Sequence, residues 1–380
     1  MPDARTPEPA SRPVTLFLAG DVMTGRAIDQ ILPHASDPQL YEPYVQDARD
    51  YLRLAEARSG PIPRPVAFAY PWGEALAELA RRAPDLRIIN LETAITDHPT
   101  PWPKGINYRM HPANLPCLTA AAIDCCVLAN NHVLDWGRPG LAQTLAALDG
   151  AGIRHAGAGP SLEAARAPAV LHLPGQGRLL ILAGGTTDCG IDRQWAAGSD
   201  RSGVHLLPDL SGSTIRAIAT LVQTSKRPGD LVVASLHWGG NWGYAIPAAQ
   251  REFAQALIDQ AGVDLVHGHS SHHVKGIEVH NGRAIIYGCG DLLSDYEGIS
   301  GYEAFRGELG LLYFPTLDPA SGRLLGLTMT PTRVRRLAIT LASRPEAQWL
   351  AAVLNREGRP LGTGVTLAED GRLTLHWPGR

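Results

Sequence analysis

Cysteine is scarce in this 380-residue chain, no long apolar run occurs, and neither sign of charge dominates. The five cysteines, Cys117, Cys125, Cys126, Cys189 and Cys289, are odd in number, include an adjacent pair on an apolar run and form no CxxC. That pattern argues against a disulfide framework and for reduced thiols with packing roles. No segment reaches about eighteen uninterrupted apolar residues, so no transmembrane span is expected. Residues 1–13 are polar and proline-rich without an apolar h-region, so they read as a disordered tail and not a signal peptide. The expected location is cytoplasmic. With 34 basic and 37 acidic residues the net charge is −3, which leaves no basic field for nucleic acid. Three familiar fingerprints are also missing. Gly157-Ala-Gly159 and Gly184-Gly185 lack dinucleotide or P-loop spacing, and no Gly-x-Ser-x-Gly elbow supports a serine hydrolase.

Glycine (40) and proline (30) are plentiful but dispersed through apolar segments, as in a loop-rich enzyme. Five apolar, strand-like runs end on residues able to bind metal or transfer protons. Val14 to Asp21 ends on Gly-Asp, Asp85 to Glu92 on Asn-Leu-Glu, and Ile123 to His132 on Asn-Asn-His. Asp230 to His237 runs into Trp-Gly-Gly, and Val263 to His267 runs into Gly-His-Ser-Ser-His-His. Ligands of α/β sheets bind at the carboxyl ends of strands. Helical spacing at Ala75–Arg82, Gly140–Leu148, Ser213–Val222 and Ala248–Gln260 separates several of the runs and predicts an α/β sheet layered with helices. Gly276 to Asp291 reads as a hairpin turning at Asn281-Gly282. Strand character at Leu309–Phe314, Leu324–Leu341 and Val365–Trp377, with a helix at Pro345–Leu354, extends the sheets over residues 301–380 and completes the domain of residues 14–300.

Four of the fourteen histidines, His267, His269, His272 and His273, fall within seven residues. Neutral imidazole is the commonest metal ligand, although such a tract is also what a polar loop with unrelated histidines looks like. The other strand ends add Asp21, Glu92, Asn131, His132 and His237. Carboxylates, an amide carbonyl and imidazoles without thiolates suit one or two divalent ions (Mn, Fe or Zn) and suit catalysis better than a closed structural site.

Gly20-Asp-Val-Met-Thr-Gly-Arg26, Asn90-Leu-Glu92, Ala129-Asn-Asn-His132, His237-Trp-Gly239, Gly268-His-Ser-Ser-His272 and Tyr287-Gly-Cys-Gly-Asp291 resemble, in order, the motifs of the CapA, or poly-γ-glutamate capsule synthesis, family of the calcineurin-like metallophosphoesterase superfamily. The likeness covers roughly Thr15 to Asp295 and implies an α/β/β/α sandwich. It implies Asp21 and His272 on a first metal, Glu92 bridging, and Asn131, His237 and His269 on a second. His132 would be the general acid, oriented by Asp135, beside metal-activated water; the competing reading of Asp135 is a carboxylate at a helix N-terminus. The superfamily's first motif has histidine where this chain has Met23, a poor ligand for a hard or borderline ion. Either His267 or His273 could fill that gap, with core packing the alternative for His267.

Arg26 and Arg109 are candidate grips for an anionic substrate, with a surface ion pair the alternative for Arg109. Trp238, Trp242 and Tyr244 either wall a cleft or pack, and His205 reads as structural. The expected function is a metal-dependent hydrolase, phosphoesterase-like, acting on a small anionic or polymeric substrate such as a phosphoester or poly-γ-glutamate. The alternatives are an accessory protein of capsule synthesis or export and a metal-dependent amide hydrolase. Nothing in the sequence sets the oligomeric state.

Overall fold

The computed structural model describes residues 12–173 and 176–379; most of the tail expected at 1–13 lies outside them. Two sheets face each other and helices cover both outer faces, giving an α/β/β/α sandwich. The larger, ten-stranded sheet runs in the order Gly364–Leu367, Leu373–His376, Leu324–Arg335, Leu309–Leu317, Val14–Val22, Leu86–Leu91, Cys125–Val127, Arg154–Ala156. Off that path Asp291–Leu293 pairs with Val14–Val22, and Ala338–Leu341 with Leu324–Arg335. The six-stranded sheet runs Ile277–His280, Arg283–Ile286, Leu265–His269, Leu231–His237, Gln176–Gly185, Ala169–Leu173.

Side-chain alternation explains the layering. Leu16 and Leu18 point between the sheets, against Ile181, Val233 and Leu265. Phe17 and Ala19 point outward, into a core shared with the helices Arg26–Ile31, Ala75–Arg82 and Gly137–Gly150. On the far side Val232 and Val266 meet the helices Gly212–Ser225 and Ala248–Ala261. Each buried Leu, Ile, Val or Phe contributes about 1.5–3 kcal/mol.

The four helices expected from spacing are present, three of them longer by one to three residues at an end. The hairpin turns where expected, with Asn281 and Gly282 both at positive φ. Two parts went unread. The Ala48–Ser59 helix, capped by Asp47, was missed, as was the Ala169–Leu173 strand pairing with Gln176–Gly185. The stretch Leu324–Leu341, expected to have strand character, forms two strands that turn back at Arg336-Leu337, both at positive φ without a glycine to signal it. Strands of the C-terminal stretch join the larger sheet, and Leu350, Val353 and Leu354 of the Arg344–Gly358 helix enter the inter-sheet core. Among the described residues no helix is long and apolar enough to cross a membrane.

The carboxyl ends of the central parallel strands of both sheets open on one edge of the sandwich. His267 ties them together there: Nε2 contacts the Ala19 carbonyl at 2.9 Å and Nδ1 the Ser235 hydroxyl at 3.0 Å. Gly20 sits in a register shift of the Val14–Val22 strand between Ala19 and Asp21. Such a bulge re-aims the next side chain. A Cβ at Gly20 would lie 1.9 Å from the Gly290 carbonyl oxygen, so only glycine lets the 289–291 segment close on the strand.

Candidate metal centre

Two groups of donor atoms converge at this edge. Asp21, His237 and His269 form one, and Asp21, Glu92, His272 and Asp291 the other; in each, the donor atoms lie within 4.8 Å of one another and every residue is buried. Asp21 belongs to both. The resemblance placed Glu92 in the bridging position, whereas the shared carboxylate in this geometry is Asp21, because the bulge at Gly20 brings it between the sheets. Glu92 Oε1 lies 3.9 Å from both His132 Nε2 and His237 Nε2.

Asp291 was not singled out as a ligand, although the motif ending on it was noticed. It pairs with Asp21 in register, and its Oδ1 is 2.9 Å from His272 Nδ1. Met23 is buried with its sulfur 3.1 Å from the Gly25 amide, and where it offers no imidazole a carboxylate from another strand, Asp291, stands in the same donor group as Asp21 and His272. Neither His267 nor His273 fills the gap. His267 bridges the sheets, and His273 has its nitrogens at the Val274 carbonyl and the Gly243 amide.

Hydrogen bonds behind the donors fix their orientation, as is usual around metal ligands. Asn90 donates to Asp21 Oδ1 at 2.7 Å and accepts from Asn130, whose own carbonyl oxygen takes the His132 and Val133 amides. Ser235 Oγ lies 2.9 Å from His269 Nε2, leaving Nδ1 on the side of the cluster, 2.8 Å from His237 Nδ1. Asn131 Oδ1 is 3.1 Å from His237 Nε2, which puts this expected ligand at the second group.

The electrostatics describe a site short of positive charge. Burial, then Asp291, pushes the Asp21 carboxyl up to about 7. Burial, then Asp21 and Asp291, holds Glu92 well above the usual range. Burial drives His237 and His269 far down, so both rings are neutral with lone pairs available. For His272 burial acts downward too, but Asp291 and Asp21 outweigh it and raise the ring. The Oδ2 atoms of Asp21 and Asp291 are buried without a hydrogen-bond partner. Orphaned carboxylate oxygens beside neutral imidazoles fit a divalent cation, which would satisfy the oxygens and reverse their mutual repulsion.

His132 and Asp135 form a dyad, with Nδ1 2.6 Å from Asp135 Oδ2. Lys104 and Tyr108, which sequence reasoning passed over, complete it. The Lys104 ammonium donates to Asp135 Oδ1 at 2.6 Å and to the Asn131 carbonyl, and the Tyr108 amide donates to Asp135 Oδ2 at 2.6 Å. The Tyr108 ring stacks on His132 at 3.8 Å. Asp135 thus contacts the imidazole directly, in addition to lying two residues before the Gly137–Gly150 helix. Burial takes His132 down to about 4 against the pull of Asp135. At neutral pH its ring is therefore neutral, with Nδ1–H toward Asp135 and Nε2 free on the side of Glu92.

The arginine expectations need correction. Arg26 is buried with its guanidinium spent on Asp295 and Glu42, and Tyr51 lies 3.8 Å from it. Each of its three nitrogens already donates to a buried carboxylate and the residue is only 5% exposed, so it is not placed to grip a substrate. Arg109 is held by the Asp37 and His98 carbonyls and lies 3.9 Å over Trp136, not in a carboxylate ion pair. Trp238 packs in the core against Tyr287, whereas Trp242 stacks on Tyr302 at 4.1 Å and stands 5.4 Å from His272. His205 is bonded to the Ala183 carbonyl. Surface recesses of about 550 and 590 Å³ lie around His376 and around Asp264, and neither includes a residue of the donor groups.

Residues 15–296 match the family described as bacterial capsule synthesis protein PGA_cap. A protein of Mycobacterium tuberculosis (strain H37Rv), described as a probable polyglutamine synthesis accessory protein, is 49% identical over 364 residues, 95% of this chain and 96% of the relative. The PGA biosynthesis protein CapA of Bacillus subtilis is 26% identical over 276 residues, 73% of this chain and 62% of that protein. The capsule biosynthesis protein CapA of Bacillus anthracis is 22% identical over 282 residues, 74% and 60% of the respective chains.

Proposed function

Since this chain belongs to the bacterial capsule synthesis protein family, we propose that it is an accessory protein of anionic-polymer synthesis, of the polyglutamate kind, working through a buried divalent-metal centre. The accessory role is supported by the near full-length relative described as a probable polyglutamine synthesis accessory protein, and the polyglutamate kind by the PGA family and the PGA biosynthesis protein CapA of Bacillus subtilis. The centre is carried by one observation: Asp21 belongs to both donor groups and has a buried carboxylate oxygen without a partner.

Asp21, Glu92, His272 and Asp291 would hold one ion, and Asp21, Asn131, His237 and His269 a second. The oxygen-rich first group suits Mn²⁺ or Fe²⁺, and the second, richer in nitrogen, suits Zn²⁺ equally. Bound there, a divalent ion would supply Lewis acidity toward an anionic oxygen or carbonyl and would lower the pKa of water. Metal analysis of the purified protein, with poly-γ-glutamate binding measured before and after chelation, tests the proposal. Protein that takes up no Mn²⁺, Fe²⁺ or Zn²⁺ would refute the centre, and polymer binding indifferent to chelation would refute its part in the role.

A second reading, hydrolysis at the same centre, is favoured by the His132–Asp135 pair. Asp135 Oδ2 holds Nδ1–H and selects the tautomer, while Lys104 and the Tyr108 amide keep the carboxylate in place. Nε2 is left to take a proton within the site and deliver it to a leaving oxygen or nitrogen, so phosphoesters and amides are both open to it. Aryl phosphates and γ-glutamyl amides assayed with Mn²⁺-loaded protein distinguish the readings. Loaded but inert protein rejects hydrolysis and leaves the accessory role standing.

A further inference from the structure

Between His132 and His272 lies a pair of tyrosine hydroxyls, those of Tyr108 and Tyr296, that the dyad and the ligand groups do not use. The Tyr108 ring stacks on His132 at 3.8 Å and 15°, and the Tyr296 ring meets His272 edge-on at 5.2 Å and 82°. Their hydroxyl oxygens are 2.9 Å apart. Two hydroxyls carry two protons, and a single mutual hydrogen bond uses one. Among the described residues no acceptor takes the other. Tyr108 is 3% exposed while Tyr296 is half-buried, so the Tyr296 end of the pair is the accessible one. A buried O–H without an acceptor costs about 1–3 kcal/mol unless a ligand or water satisfies it.

The pair is also held rigidly. The Arg26 guanidinium stands 4.8 Å from the Tyr108 ring centroid and 5.6 Å from that of Tyr296, and it bonds Asp295, the residue before Tyr296. A cation against phenol rings draws electron density from them and strengthens their O–H groups as donors. Arg26, expected from sequence to grip the substrate, instead stands behind two groups that can.

We propose that the Tyr108–Tyr296 hydroxyl pair is the substrate-oxyanion donor of the centre, its unshared proton going to an anionic oxygen, phosphoryl or carboxylate, of the molecule bound between His132 and His272. This deepens the proposed function and rests on its metal centre. The donor is preorganised, so it binds the oxygen without the reorganisation that water would need.

The test uses full-length protein loaded with Mn²⁺ and titrated calorimetrically with inorganic phosphate in one arm and a γ-linked oligoglutamate in the other, with metal content measured on each sample. Tyr296→Phe is expected to keep its metal and melting temperature while affinity falls about tenfold in one arm, as for loss of one hydrogen bond to a charged acceptor. The affected arm identifies the oxygen. Tyr51→Phe, which perturbs the Arg26 surroundings without touching either histidine, is expected to change neither arm. Unchanged affinity in both arms for Tyr296→Phe, an equal loss for Tyr51→Phe, or loss of metal in Tyr296→Phe each overturns the inference alone. Wild-type protein that loads no metal overturns the centre and the inference together.

Discussion

If the proposed centre holds a divalent ion, removing that ion is expected to invert the way the Asp21 contribution to stability depends on pH. In the metal-free state burial and then Asp291 take the Asp21 carboxyl from its ordinary 3.8 to about 7. Between those two values the folded state keeps a proton that the unfolded state has released. Stability therefore falls as pH rises across the window. At about 1.4 kcal/mol per pH unit, Asp21 alone removes about 4 kcal/mol between pH 4 and pH 7, a large part of the 5–15 kcal/mol that holds a typical domain together. Glu92 is pushed in the same direction and steepens the trend. Bound metal keeps these carboxylates ionised and reverses the sign, so stability is then present above the ordinary carboxylate range and lost as pH falls through it. At a metal concentration one hundred times Kd, binding adds about 2.7 kcal/mol. Urea denaturation at pH 5, 6, 7 and 8, in chelator and in saturating Mn²⁺, measures both slopes. Buried histidines held low by burial, His132, His237 and His269 among them, make stability rise with pH below about 6.5, so the carboxylate contribution is read as the wild-type curve minus the Asp21→Asn curve. That difference is expected to fall with pH in chelator and to level or rise in Mn²⁺, with no gain from metal in Asp21→Asn. Parallel curves in chelator and metal for the wild type would refute the reasoning, because the carboxylates would then not be the ion's site.

Further substitutions separate holding metal from handling protons. His132→Ala is expected to retain metal, whereas Asp21→Ala, Asp291→Ala and His269→Ala lose it; equal loss in all four, by metal analysis, would erase the division of roles. If the centre hydrolyses, Asp135→Asn lowers kcat by about 10²–10⁴ through the wrong His132 tautomer while metal content holds, and unaltered turnover rejects the dyad. Arg26→Met leaves Asp295 and Glu42 buried without their cation, and a loss of about 3–5 kcal/mol is expected in denaturant unfolding; a loss under 1 kcal/mol would show those carboxylates find other partners. Gly20→Ala drives a Cβ into the Gly290 carbonyl and is expected to cost about 3 kcal/mol or more, with metal uptake lost as Asp21 and Asp291 separate. Wild-type metal uptake in a folded Gly20→Ala protein would show that the close approach is not needed.

Much of this architecture was legible because local pattern and burial agree. Each of the five apolar runs contains a strand, since uninterrupted Leu, Ile and Val between loop residues suits a strand covered on both faces. Asn281-Gly282 marked its turn because both residues accept positive φ. Arg336-Leu337 adopts a similar backbone with no such residue, held by the pairing of Ala338–Leu341 along Leu324–Arg335, and nothing local announces it. Lys104 and Tyr108 were passed over because nothing near them in the chain points to His132; they reach it only through the fold.

From the sequence alone came the kinds of ligand, their order along the chain and the family, because strand ends and motif spacing are local properties written residue by residue. Tertiary structure decided the partnerships. It made Asp21, and not Glu92, the carboxylate common to both donor groups, through a bulge that only Gly20 permits, and it set Asp291 beside Asp21 and His272. It also separated His267 and His273 from His269 and His272 within one short tract, since both nitrogens of each of the first two rings are already occupied, by the Ala19 carbonyl and the Ser235 hydroxyl and by the Val274 carbonyl and the Gly243 amide. Arg26 shows the same division: its charge is plain in the sequence, but whether a buried cation faces a ligand or its own carboxylates depends on which loops fold over it.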